Sequence, residues 1–257
     1  MSSSPITVST EGTRADPDVP RGGPRRRWVG LALVGVLGMI TALLASTPYF
    51  TTGLAVMADD NVGLASTYVG APLAARAALY VHIVGGTLAL VLMPFQFSAL
   101  LRRRARQVHR ITGRVYLASV GVGAVAGLVL LPFNSVGLLG VFGFGGLAVV
   151  WLWSGARAYR AVRAGDLAGH QAWMIRNGAL TFAAPTLRLW LLVLIAVQVP
   201  FAGADPDVEA LFAAAYAPVP FLCWLPNLVV AEWLVRRRGL PSYRLAAPPA
   251  LAPAPAA

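Results

Sequence analysis

Three histidines are the side chains of this 257-residue chain whose ordinary acid–base chemistry falls near neutrality. His109 stands in RRRARQVHRITGRVY (102–116), where arginines lead into an apolar segment. His170 stands in GDLAGHQAWMIRNGALTF (165–182), with Arg176 six residues on. His82 opens HIVGGTLALVLMPF (82–95), well inside an apolar run. Such imidazoles can ligate a haem iron, relay a proton, or simply flank a helix and meet a lipid phosphate.

Two-histidine ligation of haem in a helical bundle requires both rings at one level on facing helices. His109 and His170 meet that requirement, because each opens a helix on the same side of the membrane. His82 lies about nine residues into its helix, on the order of 14 Å deep at the helical rise. It does not share their level and is the third candidate ligand. Haem b is the cofactor such a pair would take.

A second constellation is polar but not titratable near neutrality. Asn177, Thr181, Ala184 and Arg188 fall within about 40° of one another on a continuous helix. Arg188 lies roughly 18 Å from the far end of that helix, a depth similar to that of His82. The stripe reads either as the lining of a substrate cavity or as an arginine satisfied by carbonyls and water. Arg176 and Glu232 come at similar depths on neighbouring helices, so a neutralising ion pair is expected there as a structural clamp. No nucleotide loop, paired-carboxylate site, Ser-His-Asp set or metal motif is present. The single cysteine, Cys223, has no partner within the chain for a disulfide.

The elements that must hold these residues are set by composition. Hydrophobic residues make up 57% of the chain and charged residues 12%, against about 25% charged in a soluble domain. So little polar surface cannot coat a soluble globule, and the class is an all-α membrane protein. Residues 1–27 read as a disordered basic tail and 28–50 as the first transmembrane helix, too long for a secretory signal. A loop over 51–72 leads to a four-helix core over 73–199, with apolar runs near 73–97, 114–132, 138–160 and 173–199. An acidic loop over 200–212, a sixth transmembrane helix over 213–235 and a disordered tail over 236–257 complete the chain. Each run is long enough to cross about 30 Å of hydrocarbon, and backbone in lipid must be helical or closed into a barrel.

Arginine placement gives orientation. Of the 21 basic residues, all arginine, 18 fall in the N-terminal tail, the two basic loop regions and the C-terminal tail. The positive-inside rule makes those segments cytoplasmic and makes 51–72 and 200–212 extracytoplasmic. The net charge of +11 is thereby explained by topology and attraction to anionic lipid, and nucleic acid is not a partner.

The core reads as two repeated helix hairpins. HIVGGTLAL (82–90) resembles FGFGGLAVV (142–150), which places the Gly pairs 85–86 and 145–146 at 60 residues' separation, and His109 and His170 are 61 apart. Small residues at 119, 123 and 127 suit close helix packing.

These motifs, together with HRITGRVY (109–116), HQAWMIRNGALTFAAPTLR (170–188) and CWLPNLVVAEW (223–233), resemble a bacterial membrane-protein family catalogued as domain of unknown function 2306. The resemblance covers roughly 75–235 and implies a multi-pass membrane protein, with no activity or cofactor attached. Function therefore rests on the residues. One reading is a redox or cofactor-handling bundle using His109, His170 and His82, with haem or a quinone as its group. Another is a small-molecule or lipid carrier whose cavity is lined by His82, Asn177, Thr181 and Arg188. A membrane accessory or scaffold role is a third.

Overall fold

The computed structural model describes residues 24–60, 64–203 and 205–242, and among them all regular structure is helical. In chain order the helices are α1 (Pro24–Thr51), α2 (Leu54–Asp59), α3 (Ala65–Val69), α4 (Leu73–Phe97), α5 (Ala99–Arg104) and α6 (Arg106–Leu130). They continue with α7 (Gly137–Arg163), α8 (Leu167–Thr181), α9 (Ala183–Gln198), α10 (Val208–Tyr216), α11 (Val219–Leu222) and α12 (Leu225–Arg237). Six stretches are long and apolar enough to cross a membrane: Val29–Thr51, Leu73–Phe97, Arg106–Phe133, Gly137–Arg163, Ala183–Phe201 and Val219–Arg237. Each falls on one of the six expected runs. Most of the two expected tails lies outside the described residues. The loop expected over 51–72 carries α2 and α3, whose Met57, Ala65 and Tyr68 are buried against Leu79 and Leu130.

Packing is dominated by two antiparallel pairs, α4 with α6 and α7 with α8. Glycine makes the first possible. A Cβ on Gly85 would stand 3.0 Å from the Cα and N of Gly123 and 3.1 Å from the Ser119 carbonyl oxygen. The two backbones therefore touch, which is how helices associate in lipid without a hydrophobic drive. The counterpart Gly145–Gly146 instead faces Leu131 and Trp224, so the second pair does not reproduce the first contact for contact. The core gathers Leu90 and Met93 from α4, Tyr116 and Val120 from α6, Trp151 from α7 and Leu180 from α8. Leu44, Leu73, Phe142, Leu192 and Val229 are more than half exposed on the outside, a surface suited to hydrocarbon rather than water.

Three expected helices differ in detail. The third begins at Arg106, not 114, so His109 sits in its first turn. The fifth is not continuous: α8 ends at Thr181 and α9 restarts at Ala183. Pro185 lacks an N–H, and its ring opposes the Thr181 carbonyl one turn back, which interrupts the ladder. Ten of the fifteen residues of α8 are buried, against two in α9. The sixth expected helix is broken twice, by Pro218 and Pro220 around α11 and by Pro226 at the start of α12.

Breaks at membrane depth require other partners for the freed backbone groups. Here side chains supply them. The Cys223 carbonyl accepts from Thr186 Oγ1 at 2.6 Å and from Asn227 Nδ2 at 3.0 Å. Trp224 Nε1 donates to the Pro220 and Gly143 carbonyls at 2.9 and 3.1 Å. Asn227 also donates to Ala179 O at 3.1 Å, which ties α12 to α8.

Candidate functional site

Each of the two candidate histidines is set by a helix start. Asp166 caps α8, its Oδ1 accepting from the Gly169 N–H at 2.8 Å, so the first turn places His170 beside α7. There His170 Nδ1 lies 2.9 Å from the Ala158 carbonyl oxygen. A carbonyl can only accept, so in the neutral ring Nδ1 carries the proton and Nε2 keeps its lone pair. Such a backbone bond fixes the tautomer and orientation that a ligating imidazole needs. His109 occupies the first turn of α6. Its Nδ1 is buried and has no hydrogen-bond partner among the described residues. Arg102 and His170 are the ionisable groups near enough to act on it.

Helical register shows how the two rings are related. His109 and Tyr116 are seven residues apart on α6, and His170 and Asn177 are seven apart on α8. Seven residues make two turns less about 20°, so each histidine shares a face with its partner, about 10 Å further along the axis. Tyr116 donates to Asn177 Oδ1 at 2.5 Å. The faces that carry the histidines are therefore the faces that meet across the bundle, and the histidines form a layer toward its arginine-rich end.

Beneath that layer lies a closed polar core. Asn177 and Tyr116 are fully buried, Ser154 nearly so, and Thr181 and Trp151 largely so. Because Asn177 Oδ1 can only accept, the single Tyr116 proton is spent there. Thr181, 2.8 Å from the Tyr116 hydroxyl, must then donate to it. Thr181 Oγ1 accepts from Trp151 Nε1 at 2.9 Å. The two Asn177 amide protons go to Trp151 O at 2.9 Å and Ser154 Oγ at 2.8 Å. Every donor and acceptor on these side chains finds a partner, which is the condition for burying them at tolerable cost.

The stripe expected along one continuous helix is thus divided. Asn177 and Thr181 turn inward to Tyr116, away from open space. Arg188 lies beyond the break on α9, is exposed, and donates from Nη1 to the Ala184 carbonyl of its own helix at 2.8 Å. Tyr49 of α1 and Tyr216 of α10 are the groups near enough to act on its charge. His82 is elsewhere again, its Nδ1 2.8 Å from the Gly123 carbonyl at the α4–α6 crossing. No hydrogen bond or ion pair joins His82 to Arg188 among the described residues.

Arg176 and Glu232 are brought together. Arg176 Nε and Nη2 donate to Glu232 Oε2 at 3.0 and 2.7 Å, with the guanidinium 4.8 Å from the centre of the Trp173 ring. Arg236 stands 3.5 Å from the other carboxylate oxygen. Gln96 donates to Thr112 Oγ1 at 3.0 Å between α4 and α6. Among the described residues no three His, Cys, Asp or Glu gather as a metal cage.

The sequence reading missed Tyr116, Trp151 and Ser154 as partners of Asn177 and Thr181, and separately missed the Thr186–Asn227 bond. Tyr116 was detectable: it falls two turns after His109 on one face, and Asn177 does the same after His170.

Six apolar helical stretches around a buried polar core, with a histidine layer at one end, define an all-helical membrane protein. Residues 79–235 match the family described as predicted membrane protein, DUF2306, and the chain belongs to that family. No curated protein and no solved structure matches the chain.

Proposed function

We propose that this is a multi-pass protein of the bacterial inner membrane, with both termini cytoplasmic, that holds a haem-type cofactor between His109 and His170. The orientation is supported by the arginines, 18 of 21 of which lie at one end by the assignment above. The cofactor reading is supported by register: His109 and His170 share the faces on which Tyr116 and Asn177 meet, and each ring keeps a nitrogen with no bond among the described residues. His170 is held by Ala158 O with Nε2 left as a donor atom, and His109 has a buried nitrogen without a partner. That donor set fits a group that takes one imidazole from each of two facing helices. Haem b bound there would accept and pass on single electrons. The arginines around His109, Arg102 foremost, would meet the acidic groups on such a cofactor's edge.

The carrier reading has less support, because Asn177 and Thr181 are consumed by Tyr116, Trp151 and Ser154 rather than lining a cavity with His82 and Arg188. The test is the absorption spectrum of protein purified in detergent. A Soret band is expected that is lost in the His109→Ala, His170→Ala double variant and kept in His82→Ala. Colourless protein whose spectrum is unmoved by haem titration would end the haem reading and leave an accessory role in its place.

A further inference from the structure

Outside the histidine layer, α6 and α7 enclose a groove of about 380 Å³ on the outer surface of the bundle. Its walls are apolar, formed by Leu117 and Leu152 over Gly121 and Gly155, where missing side chains leave the trough. Arg114 and Tyr159 close the groove at the arginine-rich end. They share a level, since Gly155 packs against Leu117 and each of the two polar residues lies three or four residues nearer that end.

Of the arginines on α6, Arg106, Arg110 and Arg114, the last lies furthest from the helix start. It stands eight residues past the start of α6, about 12 Å along the axis at the helical rise. It is exposed, and no hydrogen bond or ion pair holds it among the described residues. On α7, Arg157 instead lies over the Trp173 ring, 5.4 Å from its centre. The apolar run begins near 114, so this guanidinium reaches the headgroup level, where an anionic partner suits it. The only anions abundant at that position are lipid phosphates, and an arginine fork suits a phosphate.

We propose that the α6–α7 groove is a binding site for an anionic phospholipid of the leaflet at the arginine-rich end. One acyl chain lies along Leu117, Gly121 and Gly155, and the phosphate rests on Arg114 with the Tyr159 hydroxyl beside it. The site does not depend on the cofactor reading, because none of the three histidines lines the groove.

Native mass spectrometry of the full chain released from micelles, titrated with phosphatidylglycerol or phosphatidylcholine, tests this directly. Phosphatidylglycerol should bind more tightly than phosphatidylcholine, and Arg114→Gln should weaken it roughly fivefold, the effect of one arginine near a lipid surface. Arg163→Gln removes the same charge from the end of α7, outside the groove, and should change little. Ala118→Leu, an exposed position on the groove wall, should reduce binding of both lipids without disturbing the fold. Equal losses in Arg114→Gln and Arg163→Gln would reduce the effect to bulk charge and overturn the site. So would equal affinity for the two lipids, or an Ala118→Leu variant that binds as the parent does.

Discussion

The polar core makes a quantitative claim about Tyr116. Tyr116→Phe keeps the ring and removes one oxygen, so packing is almost unchanged. What is lost is the donor to Asn177 Oδ1 and the acceptor for Thr181. Thr181 has a fallback, because its hydroxyl also lies 3.0 Å from the Asn177 carbonyl. Asn177 Oδ1 has none and is fully buried. A buried acceptor left unsatisfied costs about 1–3 kcal/mol, and with one of two partners rescued the lower half of that range is expected. Asn177→Ala removes bonds to Tyr116, Trp151 and Ser154 together and should cost about 2–4 kcal/mol. The decisive quantity is the coupling between the two changes. Hydrogen bonds inside membrane proteins give about 0.6 kcal/mol on average and about 1.7 at most in double-mutant cycles. A fully enclosed pair should fall in the upper part of that range. Titration with SDS in mixed micelles, followed by circular dichroism, yields the four free energies. Additive losses, with coupling indistinguishable from zero, would refute the enclosed network.

Two further outcomes follow from other parts of the molecule. Arg176→Met should destabilise the bundle by about 3 kcal/mol in the same titration, since it strands a carboxylate that Arg236 compensates only in part. Adding Glu232→Leu should restore most of that loss, whereas a pair of no consequence would show neither step. Burial raises the Tyr68 phenol on α3 above its ordinary value of 10.0. The fold thus favours the neutral ring, and that stabilisation is complete below pH 10 and is lost as pH climbs through the raised value. The SDS midpoint should fall above pH 10, less so in Tyr68→Phe; identical alkaline profiles would remove Tyr68 as the cause.

What was legible in the sequence tracks what has a period or a composition. Apolar length located all six stretches, because a helix in lipid needs about 20 apolar residues whatever it packs against. The Arg176–Glu232 contact followed from depth alone, since each charge had few places to go. The divided fifth and sixth helices were harder, although Pro185, Pro218, Pro220 and Pro226 were in view. Membrane helices often tolerate proline, and whether one kinks or ends depends on side chains such as Thr186 and Asn227 reaching from another helix. The same break separates Arg188 on α9 from Asn177 on α8, so a face calculated on one uninterrupted helix no longer applied. The Tyr116 network was hidden for a related reason. Its five residues come from three helices, and only their packing brings them within hydrogen-bonding distance.

His109 supplies the sharpest separation between a structural and a functional histidine. Two buried side-chain atoms lack a hydrogen bond among the described residues, His109 Nδ1 and Glu232 Oε1, and the second has Arg236 at 3.5 Å. A fold that satisfies a tyrosine, a tryptophan and an asparagine at its centre leaves an imidazole nitrogen unpaired near its end. Replacing an unsatisfied polar group by an apolar one of similar shape removes the penalty of burying it, and such changes are neutral or stabilising. His109→Phe should therefore hold or raise the stability of cofactor-free protein, by up to about 1 kcal/mol. His170→Phe should lower it by about 1 kcal/mol, because the Ala158 carbonyl loses its donor. Stability gained by deleting a side chain is a mark of a group kept for binding rather than for folding. If His109→Phe instead loses as much as His170→Phe, both histidines are fastenings of the helix ends, and the layer has no ligand to offer.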